Sequence, residues 1–303
     1  MGVLEGKKRV FSYLKAKTAK REFHTLILII CICSDGLWLK NLLFENGINT
    51  EGIEIDPIQK TGRAIIQVSA KSGENAIVLY KGANHYLPSQ VMDAYFEKMQ
   101  AAGALQADVS WLVLQGEVNL DACATAIQSA KDRQFIICLN PAPFSPDLPF
   151  KDADVLVLNE NELLATYSLL LRNCIKNMDI DVQKVSEMAN AIINFCDNLK
   201  IVVVTLGSEG AIACTRSFTL YEKVVRKVNV VDTTGAGDTF TGFFLTSLTD
   251  STVRDKFWSD LTRDRLSLAL QTAIVAAGLC CESKGAISSI PKMDQVKAKL
   301  HSK

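Results

Sequence analysis

Neither sign of charge is in surplus in this chain: 33 basic side chains stand against 33 acidic ones. No long Lys/Arg block occurs either. Nucleic acid and anionic lipid are both gripped through a basic face, so no nucleic acid and no membrane is an expected partner, which leaves small molecules. Long Pro, Gly or Ser tracts are missing too, and 48% of the residues are apolar. That combination excludes a disordered chain and points to a soluble globular one. None of the nine cysteines has the paired C-x-x-C spacing of a zinc site. Most of them sit inside apolar stretches, where they read as reduced core thiols, and an intracellular location, cytoplasmic or nuclear, follows. "LILIICIC" at 26–33 follows the basic "KKRV" and "KAKTAKR", but it is too short to cross a bilayer and no small-residue cleavage site comes after it. It reads as a buried strand. The basic, acid-poor stretch 1–24 is compatible with a targeting role.

From about residue 107 onward, short β-branched runs alternate with helical patterns. The runs are "VSWLVLQ", "QFIICLN", "DVLVLN" and "KIVVVTLG", with helices expected at 119–131 and 182–198. Continuously apolar strands are covered on both faces by helices, which implies a three-layer α/β fold around a parallel, doubly wound sheet. In the second helix Val182, Val185, Met188, Ala189, Ile192, Ile193 and Cys196 form one core stripe. Residues 52–81 differ. "TGRAIIQVS" and "ENAIVLYKG" are strand-like and joined by the turn-rich "AKSGE", which predicts a small β-flap. Three more helices are expected at 237–249, 263–282 and 292–300.

The stretch "VNVVDTTGAGDTF" at 228–240 carries the chemistry. A strand "VNVV" is expected to end at Asp232, and a buried helix to begin at or just after Gly237. A helix start presents unpaired N–H groups and a partial positive potential. Gly235 and Gly237 would let the backbone come close to a phosphate. Asp238 would repel that phosphate, an arrangement with a purpose if the acid accepts a proton from an attacking hydroxyl while the amides stabilise the transferring group. A helix cap beside a tight turn accounts for the same residues. The motif is neither a Walker loop nor G-x-G-x-x-G.

"DTTGAGDTF" resembles the second signature of the ribokinase (PfkB) carbohydrate kinase family. Other landmarks follow in family order: "TG" at 61–62, "GENAIV" at 73–78, "GAN" at 82–84, "LQGE" at 114–117, "NPAP" at 140–143, "NENE" at 159–162, "TLGSEG" at 205–210 and "SKGAISSIP" at 283–291. The resemblance spans residues 25–300. "NPAP" and "SKGAISSIP" favour the ribose-phosphorylating branch over the adenosine, fructose and phosphosugar kinases. It implies a ribokinase-like domain over 25–303, with the flap strands within 52–81 and an unrelated segment at 1–24. The implied reaction moves the ATP γ-phosphoryl group to the 5-hydroxyl of ribose.

The resemblance also implies roles. Asp238 would be the base at the sugar hydroxyl, and Gly235, Ala236 and Gly237 the anion hole. Glu117 would bind the sugar. Asn159 and Glu162 would organise Mg²⁺ at the phosphates, while Thr205, Leu206, Gly207, Ser208, Glu209 and Gly210 would line the nucleotide site, with Gly237 beside it. Asp232, Thr234, Cys280, Ser283, Gly285 and Ser289 would hold K⁺. A homodimer through the flap is also implied. Asn159 with Glu162 suits a plain helix cap as well, Gly207 and Gly210 suit a hairpin turn, and His85 reads as a flap residue without catalytic duty.

Family members open with a glycine-rich strand, a substrate-binding Asp and a "GGKGAN"-like sugar clamp. The sequence shows none of these, "CSDG" stands where a glycine and paired acids are expected, and Ile274 stands where the adenine pocket expects Asn. Three readings therefore stay open: a ribokinase, impaired by loss of the clamp; a non-catalytic truncated product; and a kinase of the same family acting on another sugar or a nucleoside.

Overall fold

The computed structural model describes residues 30–69, 75–101, 111–172, 181–249 and 254–300. The expectations for 1–24, for residues 26–29 of the apolar run and for the turn at 70–74 lie outside the described residues. In chain order the elements are β1 (Ile30–Ile32), α1 (Leu37–Glu45), β2 (Ile53–Ile55), β3 (Arg63–Val68), β4 (Asn75–Tyr80), α2 (Ser89–Ala101), β5 (Trp111–Gln115), α3 (Leu120–Asp132), β6 (Ile136–Asn140) and β7 (Val155–Asn159). They continue with α4 (Glu160–Leu171), α5 (Val182–Phe195), β8 (Ile201–Thr205), β9 (Ala211–Thr215), β10 (Thr219–Glu222), α6 (Ala236–Leu248), α7 (Arg254–Ser259), α8 (Arg263–Cys281) and α9 (Met293–Leu300).

Two compact units divide the chain. One takes the residues up to Leu87 with Val225–Thr249 and everything from Gln271 on; the other takes Pro88–Val224 with Asp250–Leu270. The second unit holds a six-stranded sheet in the order β10-β9-β8-β7-β6-β5. Strands β5 to β8 are parallel, whereas β9 and β10 run antiparallel. The expected sheet is thus corrected from parallel to mixed. The four apolar runs do pair in parallel, but β9 and β10 follow β8 through short turns, and a short turn joins only antiparallel neighbours.

Every residue of β6 and β9 is buried, as are the first four of β7 and of β8. Helices therefore flank the sheet: α3 packs on β5 and β6, α4 on β7 and β8, and α5 on β8 and β9. On α5 the expected stripe is buried at Val185, Met188, Ala189, Ile192 and Ile193, whereas Val182 is half-buried and Cys196, also buried, caps the helix at its end. Burying one such aliphatic side chain is worth roughly 1.5–3 kcal/mol, so this stripe alone anchors the helix.

In the first unit β1 and β2 form a parallel pair, and α1 crosses between them. Ile32, Leu39, Leu43, Ile48 and Ile53 make a buried cluster, with Ile287 packed against it. The two flap segments form an antiparallel ribbon, β3 against β4, in which Ile65 faces Val78. Both are exposed, Ile65 at 58% and Val78 at 68%. The stretch 228–231, expected as a strand, is not one: it joins no ladder, and the Val231 and Asp232 amides both donate to the Cys281 carbonyl, at 2.8 and 3.2 Å. Its β-branched residues favour extended backbone, but a strand also needs a partner in register.

Candidate active site

In the first unit the stretch "DTTGAGD" leads into α6. Asp232 is buried and joins two loops: one carboxylate oxygen accepts from the Thr234 amide at 2.9 Å, the other from the Gly285 amide at 2.9 Å. Burial alone would raise its pKa, but the hydrogen bonds from Thr234 and Gly285 outweigh that and hold the carboxyl below its ordinary value. Gly235 is the N-cap of α6 and sits at φ +80°, a left-handed conformation that side chains with a Cβ rarely adopt. Ala236 donates its amide to the Thr233 carbonyl at 3.2 Å. A Cβ placed on Gly237 would meet nothing within 4 Å. Gly237 therefore answers no packing demand, and it leaves open volume beside the first turn of the helix. Asp238 is half-buried in that same turn.

The residues tied by resemblance to a monovalent cation gather beside this loop. Cys280 is buried, and its thiol donates to the Thr234 carbonyl at 3.7 Å and lies 3.2 Å from the Ser289 hydroxyl. Ser289 donates to the Ala286 carbonyl at 3.0 Å and also to the Gly285 carbonyl. Ser283 is exposed and joins only through its amide, which donates to the Cys280 carbonyl at 3.2 Å. The donor set is a carboxylate, carbonyls and a hydroxyl, hard oxygen ligands that suit an alkali cation better than a soft metal.

The second unit carries the remaining residues at the carboxyl ends of its parallel strands, where open α/β sheets bind ligands. Glu117 follows β5 and is half-buried. Asn159 ends β7 and faces Thr205 at the end of β8 in register. Asn159 and Glu162 form a capping box on α4. The Glu162 amide donates to Asn159 Oδ1 at 2.8 Å, and Glu162 Oε2 accepts from the Asn159 amide at 2.9 Å. Asn159 is exposed and Glu162 half-buried. A carboxylate held this way fits Mg²⁺, which takes one or two carboxylates and completes its shell with water and substrate phosphates. Among the described residues no group of three or more His, Cys, Asp or Glu could hold a metal without such help.

Thr205 to Gly210 make the turn from β8 to β9. Leu206 donates to the Gly210 carbonyl at 2.9 Å, while Gly207, Ser208 and Glu209 are exposed. Gly210 has a structural cause, because a Cβ there would lie 2.0 Å from the Glu222 carbonyl. His85 is exposed in a short 3₁₀ turn, Gly82–Tyr86.

Two features carry no role in the sequence reading. Asp35, in the unfamiliar "CSDG", accepts from the Thr61 hydroxyl and from Arg63, and also from the Thr61 amide at 3.3 Å. The Thr61 hydroxyl, then Arg63, draw its pKa to about 2 despite some burial. At the tips of β5 and β6, Gln115 and Asn140 are buried and bonded to each other. Their place in "LQGE" and "NPAP" is the only signal the sequence holds for them.

An α/β fold whose helix start is open to an anion and carries an acid in its first turn suits a phosphotransferase that delivers to an alcohol. A sequence model of the pfkB family carbohydrate kinases matches residues 35–293. The chain belongs to that family. It is 30% identical over 285 residues to the ribokinase of Haemophilus influenzae, an alignment covering 91% of this chain and 82% of that one. It is 29% identical over 284 residues to the deoxyribokinase of Salmonella typhi, with the same shares. The crystal structure of ribokinase from Cryptococcus neoformans var. grubii serotype A in complex with ADP matches it with a TM-score of 0.71 at 30% identity, over 95% of this chain and 85% of that one.

Proposed function

We propose that this sugar kinase transfers the γ-phosphoryl group of ATP to the 5-hydroxyl of ribose. The observation that carries the reading is Asp238 in the first turn of α6, behind a left-handed Gly235 and a Gly237 whose side-chain direction is open. Asp238 accepts the proton of the attacking hydroxyl, and the first-turn amides and helix dipole stabilise negative charge on the migrating group. Glu117 accepts hydrogen bonds from the sugar. Asn159 and the 205–210 turn hold the nucleotide phosphates, with Glu162 on the waters of Mg²⁺, which when bound neutralises phosphate charge. The carbonyls of Thr234, Cys280 and Gly285, with Ser289, hold K⁺, which when bound offsets negative charge near the helix start. Ribose is favoured by the relatives named ribokinase.

The deoxyribokinase relative supports 2-deoxyribose as a second acceptor. The exposed Ile65, Val78, Leu79 and Tyr80 on the β3–β4 ribbon support a homodimer through that ribbon.

The test is ADP release from ATP with ribose, 2-deoxyribose, fructose and adenosine as acceptors, with Mg²⁺ and with or without K⁺. Ribose-dependent release that needs Mg²⁺ and rises with K⁺ is expected. Asp238→Ala should lower it by about 10²–10⁴-fold, the usual worth of a general base. Release equal in the two proteins would overturn the assignment of Asp238, and release only with another acceptor would overturn ribose.

A further inference from the structure

Two carboxamides lie where an α/β core has least use for polar groups. Gln115 is the last residue of β5 and Asn140 the last of β6, and they face each other in register. They are only 5% and 9% exposed. Gln115 Nε2 donates to Asn140 Oδ1 at 3.0 Å, and Asn140 Nδ2 donates to the Val157 carbonyl on β7 at 2.8 Å. A chain of side-chain hydrogen bonds thus runs from the tips of β5 and β6 to the middle of β7. Its position is informative. Backbone pairing between β6 and β7 ends at Leu139 opposite Leu156, one residue short of Asn140 and Val157. The Asn140 side chain takes over where the ladder stops, at the end of the sheet where the strands carry ligand-binding loops.

The loop beyond β5 has equally little slack. The Gly116 amide donates to the Ala142 carbonyl at 3.2 Å, and a Cβ on Gly116 would come within 2.2 Å of the Pro143 carbonyl oxygen. The two loops that follow Gln115 and Asn140 are therefore backbone against backbone. A buried amide network of this kind is rigid when every member is satisfied.

We infer that Gln115 and Asn140 are positioning residues. Their hydrogen-bond chain holds the tips of β5 and β6 and the middle of β7 at one spacing. It thereby sets Glu117, two residues past Gln115, at a fixed distance from Asn159, two residues past Val157. The inference rests on the proposed function in so far as Glu117 holds the sugar and Asn159 the nucleotide. Neither amide touches substrate; each acts through the residue beyond it.

Gln115→Leu and Asn140→Leu break the chain with side chains of similar size. Asn140→Asp, which keeps the acceptor for Gln115 and loses the donor to Val157, serves if Asn140→Leu does not fold. The control is Asp154→Asn, at the opposite end of the sheet. Asp154 is also buried, and its carboxylate accepts from the Ile137 amide at 2.9 Å. In the tip variants, amide hydrogen exchange over 116–119 and at Ala142 and Phe144 should quicken, and kcat/KM for the sugar should fall on the order of 10- to 100-fold, while nucleotide affinity holds within a few-fold. Asp154→Asn should lower the melting temperature and leave both readouts unchanged. Unchanged exchange in a folded tip variant overturns the inference, as does the same pattern in the control. If the wild-type protein turns over no sugar, the proposed function falls, and the exchange data alone still decide whether these amides lock the tips.

Discussion

Asp35 shows how much one side chain can be shaped by partners that the sequence leaves far away. Its carboxylate takes hydrogen bonds from Thr61, 26 residues on, and from Arg63, and its folded pKa drops from 3.8 to about 2. A depressed carboxylate stabilises the fold above its unfolded pKa and loses that contribution as pH falls through the folded one. Wild type should therefore exceed Asp35→Asn in urea midpoint at pH 6, with the gap closing between pH 4 and pH 2. A gap independent of pH would show that the carboxylate gains nothing from its partners. The buried thiols behave differently. Burial pushes Cys123 up to about 11 and raises Cys280 and Cys214 as well, so these are unreactive core groups. That much was legible, because a cysteine in an apolar run is a small hydrophobe first. Asp35 was not legible, since no local pattern indicates which distant hydroxyl and guanidinium will meet it.

Among the elements, the start of α4 carries an observed cap and a proposed metal role on the same pair of residues. The capping box is present, and the same Glu162 is the proposed metal-side carboxylate. The two roles separate by mutation. Asn159→Ala removes the cap and should cost about 1 kcal/mol of stability. Glu162→Gln preserves the box, because Gln serves equally at that position, but removes the charge. It should leave the melting temperature unchanged and raise the Mg²⁺ concentration needed for half-maximal activity at least several-fold. Unaltered Mg²⁺ dependence would leave Glu162 as a cap alone. Helices α3, α5, α6, α8 and α9 were legible within a few residues, since caps and a 3.6-residue period are local signals. The run 228–231 was misread, because β-branched residues announce an extended backbone but not the neighbour that would make it a strand. Strands β2, β9 and β10 and helices α1, α2 and α7 went unread.

At the scale of the whole molecule, Asp238 and the loop around Asp232 belong to one compact unit, and Glu117, Asn159 and the 205–210 turn to the other. Ligand that binds only the folded chain stabilises it by about 2.7 kcal/mol at 100 times its Kd. ATP with Mg²⁺ should therefore raise the midpoint of thermal unfolding measurably, and less so in Glu162→Gln. No shift at millimolar nucleotide would exclude a working nucleotide site and count against the kinase reading.

By itself the amino-acid sequence determined the local matters: that four apolar runs become strands and five periodic stretches helices, where α6 begins, and that glycines flank its first turn beside an acid. All of these depend on residues within a few positions of one another. Tertiary structure alone decided that two strands turn back antiparallel, that Asp232 bolts its own loop to Gly285 far along the chain, and that Gln115 reaches Asn140. Such contacts depend on strand order and register, which come from burying every apolar face at once, and no short window of residues contains that information.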